Sequence, residues 1–140
     1  MKQFKELKRN FKKNVSALPT LKVSLLGDTA TQFLAVAIKG EGIDRGYNID
    51  LFEAEYNQVE RQVLDPISDL YAHDAKYTVV FQSTHKLLEQ YSLMPVSEWS
   101  TLADERINFI RTICENVVGK IIYYNYPEIE DTVFARTPIK

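Results

Sequence analysis

The sequence is poor in residues that staple, coordinate or anchor. It has one cysteine, Cys114, and two histidines, His73 and His85, among 140 residues. A single thiol closes no intramolecular disulfide, and two isolated histidines give no metal-ligand spacing, so a disulfide scaffold and a zinc site are both excluded. No stretch reaches the roughly 18 apolar residues of a membrane span, and the basic start "MKQFKELKRNFKKN" has no apolar core of the signal-peptide kind. The expectation is a cytoplasmic protein without a membrane partner. Also missing are Gly-x-Gly-x-x-Gly and Gly-x-x-x-x-Gly-Lys-Ser/Thr, which removes the dinucleotide and P-loop cradles. An excess of positive charge is lacking too: 17 basic against 19 acidic residues leave a net charge of −2, so nucleic acid is not expected as a main partner.

What is present is enough apolar sequence, 45%, to fill one core. Phe4, Leu7 and Phe11 recur at spacings of three and four among lysines and predict a short amphipathic helix within residues 1–18, docked on the outside of its own domain. The Leu-Pro at 18 and 19 separates it from the rest. Over 19–140, "LKVSLL" (21–26), "YNIDLFEA" (47–54), "YTVVFQ" (77–82) and "KIIYYNY" (120–126) are rich in β-branched and aromatic residues and predict buried strands. Helical segments lie between them. Phe33, Leu34, Ala37 and Ile38 share a face in one that glycines 40, 42 and 46 should end. "NQVERQVLD" makes about two turns before Asp65-Pro66, and a longer helix follows Pro95 and Ser97 with Ile107, Ile110, Cys114 and Val117 on its apolar face. Cys114 is thereby expected to be a buried, inert thiol.

Short strand-helix-strand connections build a parallel sheet through right-handed crossovers. The predicted fold is a three-layer α/β/α sandwich with a mainly parallel sheet, of the SGNH-hydrolase-like or flavodoxin-like kind. Ligands of such sheets bind beyond the carboxyl ends of the strands, so four loops matter: Gly27-Asp28-Thr29, Glu53 to Gln58, Gln82 to His85, and Asn125 to Pro127. Gly27-Asp28-Thr29 sits where SGNH esterases carry Gly-Asp-Ser, which makes Thr29 a candidate nucleophile beside a helix N-terminus. Asp28 or Thr29 is equally a helix N-cap. A hydroxyl nucleophile needs a base, and the Asp-x-x-His that supplies it in that class is absent here; His85 lies on the right side of the sheet, His73 on the wrong one. Asn57, Gln58 and Gln82 are polar groups at strand ends that suit ligand binding. Glu53, Glu55 and Glu60 read as polar rim, and the acidic "PEIEDT" (127–132) as a solvated loop.

"YNIDLFEAEYNQVERQVLDPISDLYAHDAKYTVVF" resembles the N-terminal domain of FkbH-like proteins. A strand there ends in an acidic turn, followed by a Gln-x-Leu-Asp-Pro-x-Ser-x-Leu-Tyr run, here Glu55 to Gln58 and then Gln62, Leu64, Asp65, Pro66, Ser68, Leu70 and Tyr71. "VSLLGDTATQFL" is similar to that family's opening strand and turn. The resemblance implies an SGNH-like domain, expected to be incomplete here, followed by a haloacid-dehalogenase-type phosphatase domain. That second domain would bring the Asp-x-Asp nucleophile pair and bind Mg²⁺; this chain has no Asp-x-Asp-x-Thr and is expected to bind no cofactor itself. The family's chemistry implies an acyl or phosphoglyceryl substrate and an acyl carrier protein partner, on the way to methoxymalonyl units. Two readings follow: a domain that assists binding or transfer of the acyl or glyceryl group, with Thr29 as the acceptor, and a non-catalytic domain that docks a carrier protein or positions the phosphatase.

Overall fold

The computed structural model describes residues 3–127. Residues 128–132 of the acidic loop, and the rest of the segment expected to belong to the domain, lie outside them. Four strands, β1 (Thr20–Gly27), β2 (Asn48–Glu53), β3 (Tyr77–Phe81) and β4 (Lys120–Tyr123), form one sheet in the order β2-β1-β3-β4. Every pairing is parallel, with Leu25 opposite Glu53 on one side and Val79 on the other. The alternation of side chains along each strand then fills two separate cores. Val23, Leu25, Ile49 and Val79 face α2 (Gln32–Asp44) through Leu34, Ala35 and Ile38. Leu26, Ala54 and Val80 face the opposite layer, where they meet Val59 and Val63 of α3 (Val59–Leu64), Leu70 of α4 (Asp69–His73) and Ile113 of α6 (Thr101–Asn116). The three-layer parallel architecture is the one the alternation of periods predicted.

The N-terminal helix α1 (Phe4–Arg9), continued by a 3-10 turn at Asn10–Lys12, docks on the outer side of α2. Leu7 is buried there, Asn10 donates its side-chain amide to the Gly40 carbonyl at 2.9 Å, and Phe4 meets Phe33 edge-on. This contact corrects the expected end of α2. Gly40 lies inside the helix because α1 crosses it closely: a Cβ there would stand 2.6 Å from the Leu7 carbonyl oxygen. Gly42 is likewise helical and faces Ile49, so the helix runs on to Asp44. Phe33, placed on the inner face by periodicity, is exposed, and Ala35 takes its place in the core.

Two further expectations are revised. The apolar stripe of α6 is rotated by one position: Leu102, Phe109, Ile113 and Val117 pack inward, whereas Ile107 and Cys114 are exposed. Cys114 is therefore no core thiol. A helix that the sequence reading left out, α5 (Thr84–Leu93), fills the interval after β3, with the Ser83 hydroxyl accepting the His85 N–H at its start. Between α3 and α4, the Gln-x-Leu-Asp-Pro-x-Ser-x-Leu-Tyr run (62–71) proves to be a latch. The Ser68 hydroxyl donates to the Gln62 carbonyl at 2.7 Å, the Leu70 N–H to the Gln62 side chain at 3.1 Å, and the Tyr71 hydroxyl to the Val63 carbonyl at 2.6 Å. Asp65 accepts the Ile67 N–H at 3.1 Å and closes the turn.

Candidate functional site

With β1 in the middle, the chain leaves it toward α2 on one face and leaves β3 toward α5 on the other. The two loops diverge at the carboxyl ends of β1 and β3, and this is where an open parallel sheet leaves a crevice. A cleft of about 580 Å³ occupies that position, lined by Asp28 after β1, Asn57 after β2, Gln82 and Ser83 after β3, Lys86 and Gln90 on α5, and Arg106 on α6. Its apolar part comes from Val59, Leu87, Leu93, Met94 and Pro95.

Asp28 turns both carboxylate oxygens to the Ser83 backbone N–H, at 2.9 and 3.0 Å, and so ties the ends of β1 and β3 together. Burial raises its pKa above the ordinary value, an effect that the Ser83 N–H and the charges of Lys86 and Arg106 oppose but do not cancel. Gln82 is buried, and its side-chain oxygen accepts the Tyr123 hydroxyl at 2.6 Å and the Tyr126 hydroxyl at 3.5 Å. Its amide nitrogen is left without a protein acceptor among the described residues. Burial first, and then the neighbouring Tyr126, push the Tyr123 phenol well above its ordinary pKa, so Tyr123 acts as a neutral hydrogen-bonding group. Asn57, in the left-handed conformation at φ 59°, accepts the Lys86 ammonium at 3.2 Å, and that ammonium stands 4.4 Å above the Tyr56 ring. The Arg106 guanidinium donates to the Gln90 side chain at 2.7 Å, while its Nε is buried without a partner.

Of the residues singled out from sequence, Asp28, Asn57 and Gln82 meet at this cleft. Gly27 closes β1 beside it, where a Cβ would collide with the Thr31 methyl. Gln58 precedes α3 and reaches Arg61 at 3.5 Å instead of lining the cleft. Thr29 does not line the cleft, and its hydroxyl makes no hydrogen bond among the described residues. The N-cap of α2 is neither Asp28 nor Thr29 but Thr31, whose hydroxyl donates to Glu53 at 2.6 Å. His85 is exposed in the first turn of α5 and outside the cleft lining, and His73 contacts the Asp50 carbonyl at 3.2 Å on α4. The residues missed from sequence are Lys86, Gln90 and Arg106. A signal was there for the first two: Ser83 is a cap residue, and Leu87, Tyr91 and Met94 follow at helical spacing.

A parallel α/β domain with a polar-lipped cleft at its topological switch point is a ligand-binding architecture. The FkbH N-terminal domain family matches residues 22–140, and the chain belongs to that family. A solved structure described as the N-terminal part of the protein BF1531 from Bacteroides fragilis, containing a phosphatase domain complexed with Mg, superposes with a TM-score of 0.92 at 60% identity. That match covers 96% of this chain and 36% of the other, so the chain spans little more than a third of its relative's length. No curated protein matches the chain. Among the described residues no three His, Cys, Asp or Glu side chains gather as a metal site, and no helix is long and apolar enough to cross a membrane.

Proposed function

We propose that this domain holds the acyl or glyceryl group handled by a phosphatase-containing FkbH-like protein, in the cleft beyond β1 and β3, and presents it for loading onto an acyl carrier protein. The observation that carries the reading is the convergence of Asp28, Gln82, Lys86 and Arg106, from four separate segments, on one cleft. Hydrogen-bonding groups around an apolar recess suit a small ligand with a polar end. Mg²⁺ and phosphate removal belong, on this reading, to a haloacid-dehalogenase-type domain outside this chain, in keeping with the phosphatase domain complexed with Mg in the Bacteroides relative. A cytoplasmic setting goes with a carrier-protein partner.

Binding is favoured over transfer by Thr29. Its hydroxyl stands outside the cleft, and no described base is hydrogen-bonded to it. The test is an NMR titration of the ¹⁵N-labelled chain with a glyceryl-loaded and an unloaded acyl carrier protein. Loaded carrier should shift the amides of Asp28, Gln82 and Ser83 more than unloaded carrier does, and Gln82→Ala should remove the difference. Equal shifts by both carriers, confined to another surface, would favour a docking domain that makes no contact with the carried group. In a protein carrying the phosphatase domain, acyl transfer that survives Thr29→Ala would exclude Thr29 as the acceptor.

A further inference from the structure

We infer that the cleft grips a small oxyanion, a carboxylate or a phosphate monoester, between Arg106 and Lys86; this rests on the reading of the cleft as the ligand site. Arg106 is half-buried on α6, and among the described residues no carboxylate pairs with it. A guanidinium withdrawn from water without an anion is unfavourable unless something else meets its donors. Gln90 meets only Nη2, at 2.7 Å, and it is neutral; Nε is buried and unmet. Asp28 faces the same cleft, but both of its oxygens are directed to the Ser83 N–H at 2.9 and 3.0 Å. Its position leaves the guanidinium in a favourable field without contact.

Lys86 supplies the second cation. Its ammonium has no carboxylate partner among the described residues, only the Asn57 amide oxygen at 3.2 Å and the Tyr56 ring. Lys86 and Gln90 are four residues apart on α5, so the helix presents both on one face, and Gln90 orients Arg106 from there. The buried Gln82 adds a free amide N–H to the same cleft. Planar and point-charge donors together suit an oxyanion, with the fork of Arg106 setting its orientation. Glu60 and Glu89, both exposed in the lining, disfavour a ligand that carries a further anionic group toward the rim. Leu87, Leu93, Met94 and Pro95 leave an apolar recess for the rest of the ligand.

The test is an NMR titration of the ¹⁵N-labelled chain with inorganic phosphate, acetate and neutral glycerol. At least one anion should give saturable shifts at the Ser83 and Lys86 amides and at the Arg106 side-chain ¹⁵Nε, and the anion that saturates identifies the head group. Arg106→Gln and Lys86→Gln should each weaken that binding about tenfold, the scale of a lost charge-assisted contact. Arg111→Gln, an exposed position on α6 that contacts Asn108, should leave it unchanged. Arg106→Lys, which keeps the charge and loses the fork, should fall between. Amide dispersion reports folding of each variant, and the Lys86 change acts on a separate helix if the Arg106 variants unfold. The inference is overturned if neither anion saturates, or if Arg111→Gln weakens binding as much as Arg106→Gln. Shifts in the cleft with glycerol alone would leave the ligand site standing and remove the anion anchor, whereas no shift with any probe would count against both.

Discussion

The Asp28 carboxylate accepts the Ser83 backbone N–H through both oxygens, at 2.9 and 3.0 Å, across 55 residues of chain. This contact joins the two strand ends whose divergence opens the cleft. It also satisfies the N–H that precedes α5, a donor that helix geometry leaves unmet.

Because burial raises the Asp28 pKa in the folded state, the folded protein binds more protons than the unfolded chain near the ordinary value of 3.8. Stability contributed by this group is therefore greatest below that value and declines as pH rises through the folded pKa. Asp28→Asn removes the titration and keeps one acceptor for Ser83. Urea denaturation of both proteins at pH 3.5 and pH 7 should show the variant gaining on the wild type as pH rises. A gap that is constant or moves the other way would exclude a raised Asp28 pKa.

Gly40→Ala tests the docking of α1. Within a helix alanine is favoured over glycine by about 1 kcal/mol, so an isolated α2 would be strengthened. In the protein the new Cβ stands 2.6 Å from the Leu7 carbonyl oxygen and 2.8 Å from the Leu7 Cβ, both on an abutting helix. The collision should win, with a net loss of about 1–3 kcal/mol as for other overpacked contacts. Hydrogen exchange should quicken at the amides of Leu7 to Asn10 while the strand amides keep their protection.

The α3–α4 latch gives a third expectation. Tyr71→Phe leaves the Val63 carbonyl without its 2.6 Å donor, and Ser68→Ala does the same to Gln62 at 2.7 Å. Each should cost about 1 kcal/mol in a denaturant melt. Neither residue lines the cleft, so the NMR shifts caused by a bound anion should be unchanged.

The strands were legible because Val23, Leu25, Leu26, Val79 and Val80 form apolar runs that a parallel sheet buries on both faces. The site was legible only in part. Asp28, Asn57 and Gln82 follow strand ends, and topology alone brings strand ends together. Lys86 and Arg106 meet the cleft only because α5 and α6 pack at one angle, which no local pattern encodes. Gly40 was misread as a helix end for a related reason: it answers to Leu7, more than thirty residues away, and not to its own helix, whereas Gly46, at φ 81°, does follow the last turn of α2. In α6 the apolar residues at 107, 109, 110, 113, 114 and 117 fit two neighbouring stripes, and contact with Leu26 and Val80 selects the one through Ile113.

That choice of stripe is measurable. Ile113 is fully buried, so Ile113→Ala should cost about 2–5 kcal/mol, whereas Cys114→Ala, one residue on, should stay within about 0.5 kcal/mol of wild type. The Cys114 thiol should also react with a disulfide reagent in the folded protein at a rate close to that of the unfolded chain.

Thr29 and Thr31 are separated by the same logic. Thr31 is 4% exposed and donates to the Glu53 carboxylate at 2.6 Å, so it fastens the β1–α2 turn to the end of β2. Thr29 makes no side-chain hydrogen bond among the described residues. Thr31→Ala should lower stability by about 1–3 kcal/mol, the range for losing a bond to a charged group at a buried site. Thr29→Ala should change it by no more than about 0.5 kcal/mol and leave the anion titration unaltered. If Thr29→Ala instead weakens binding while stability holds, its hydroxyl reaches the ligand when the cleft is filled, and the nucleophile expected from Gly27-Asp28-Thr29 regains its claim. Equal binding by both proteins assigns that turn to architecture: Gly27 for close approach, Asp28 for the link to Ser83, and Thr31 for the hold on Glu53.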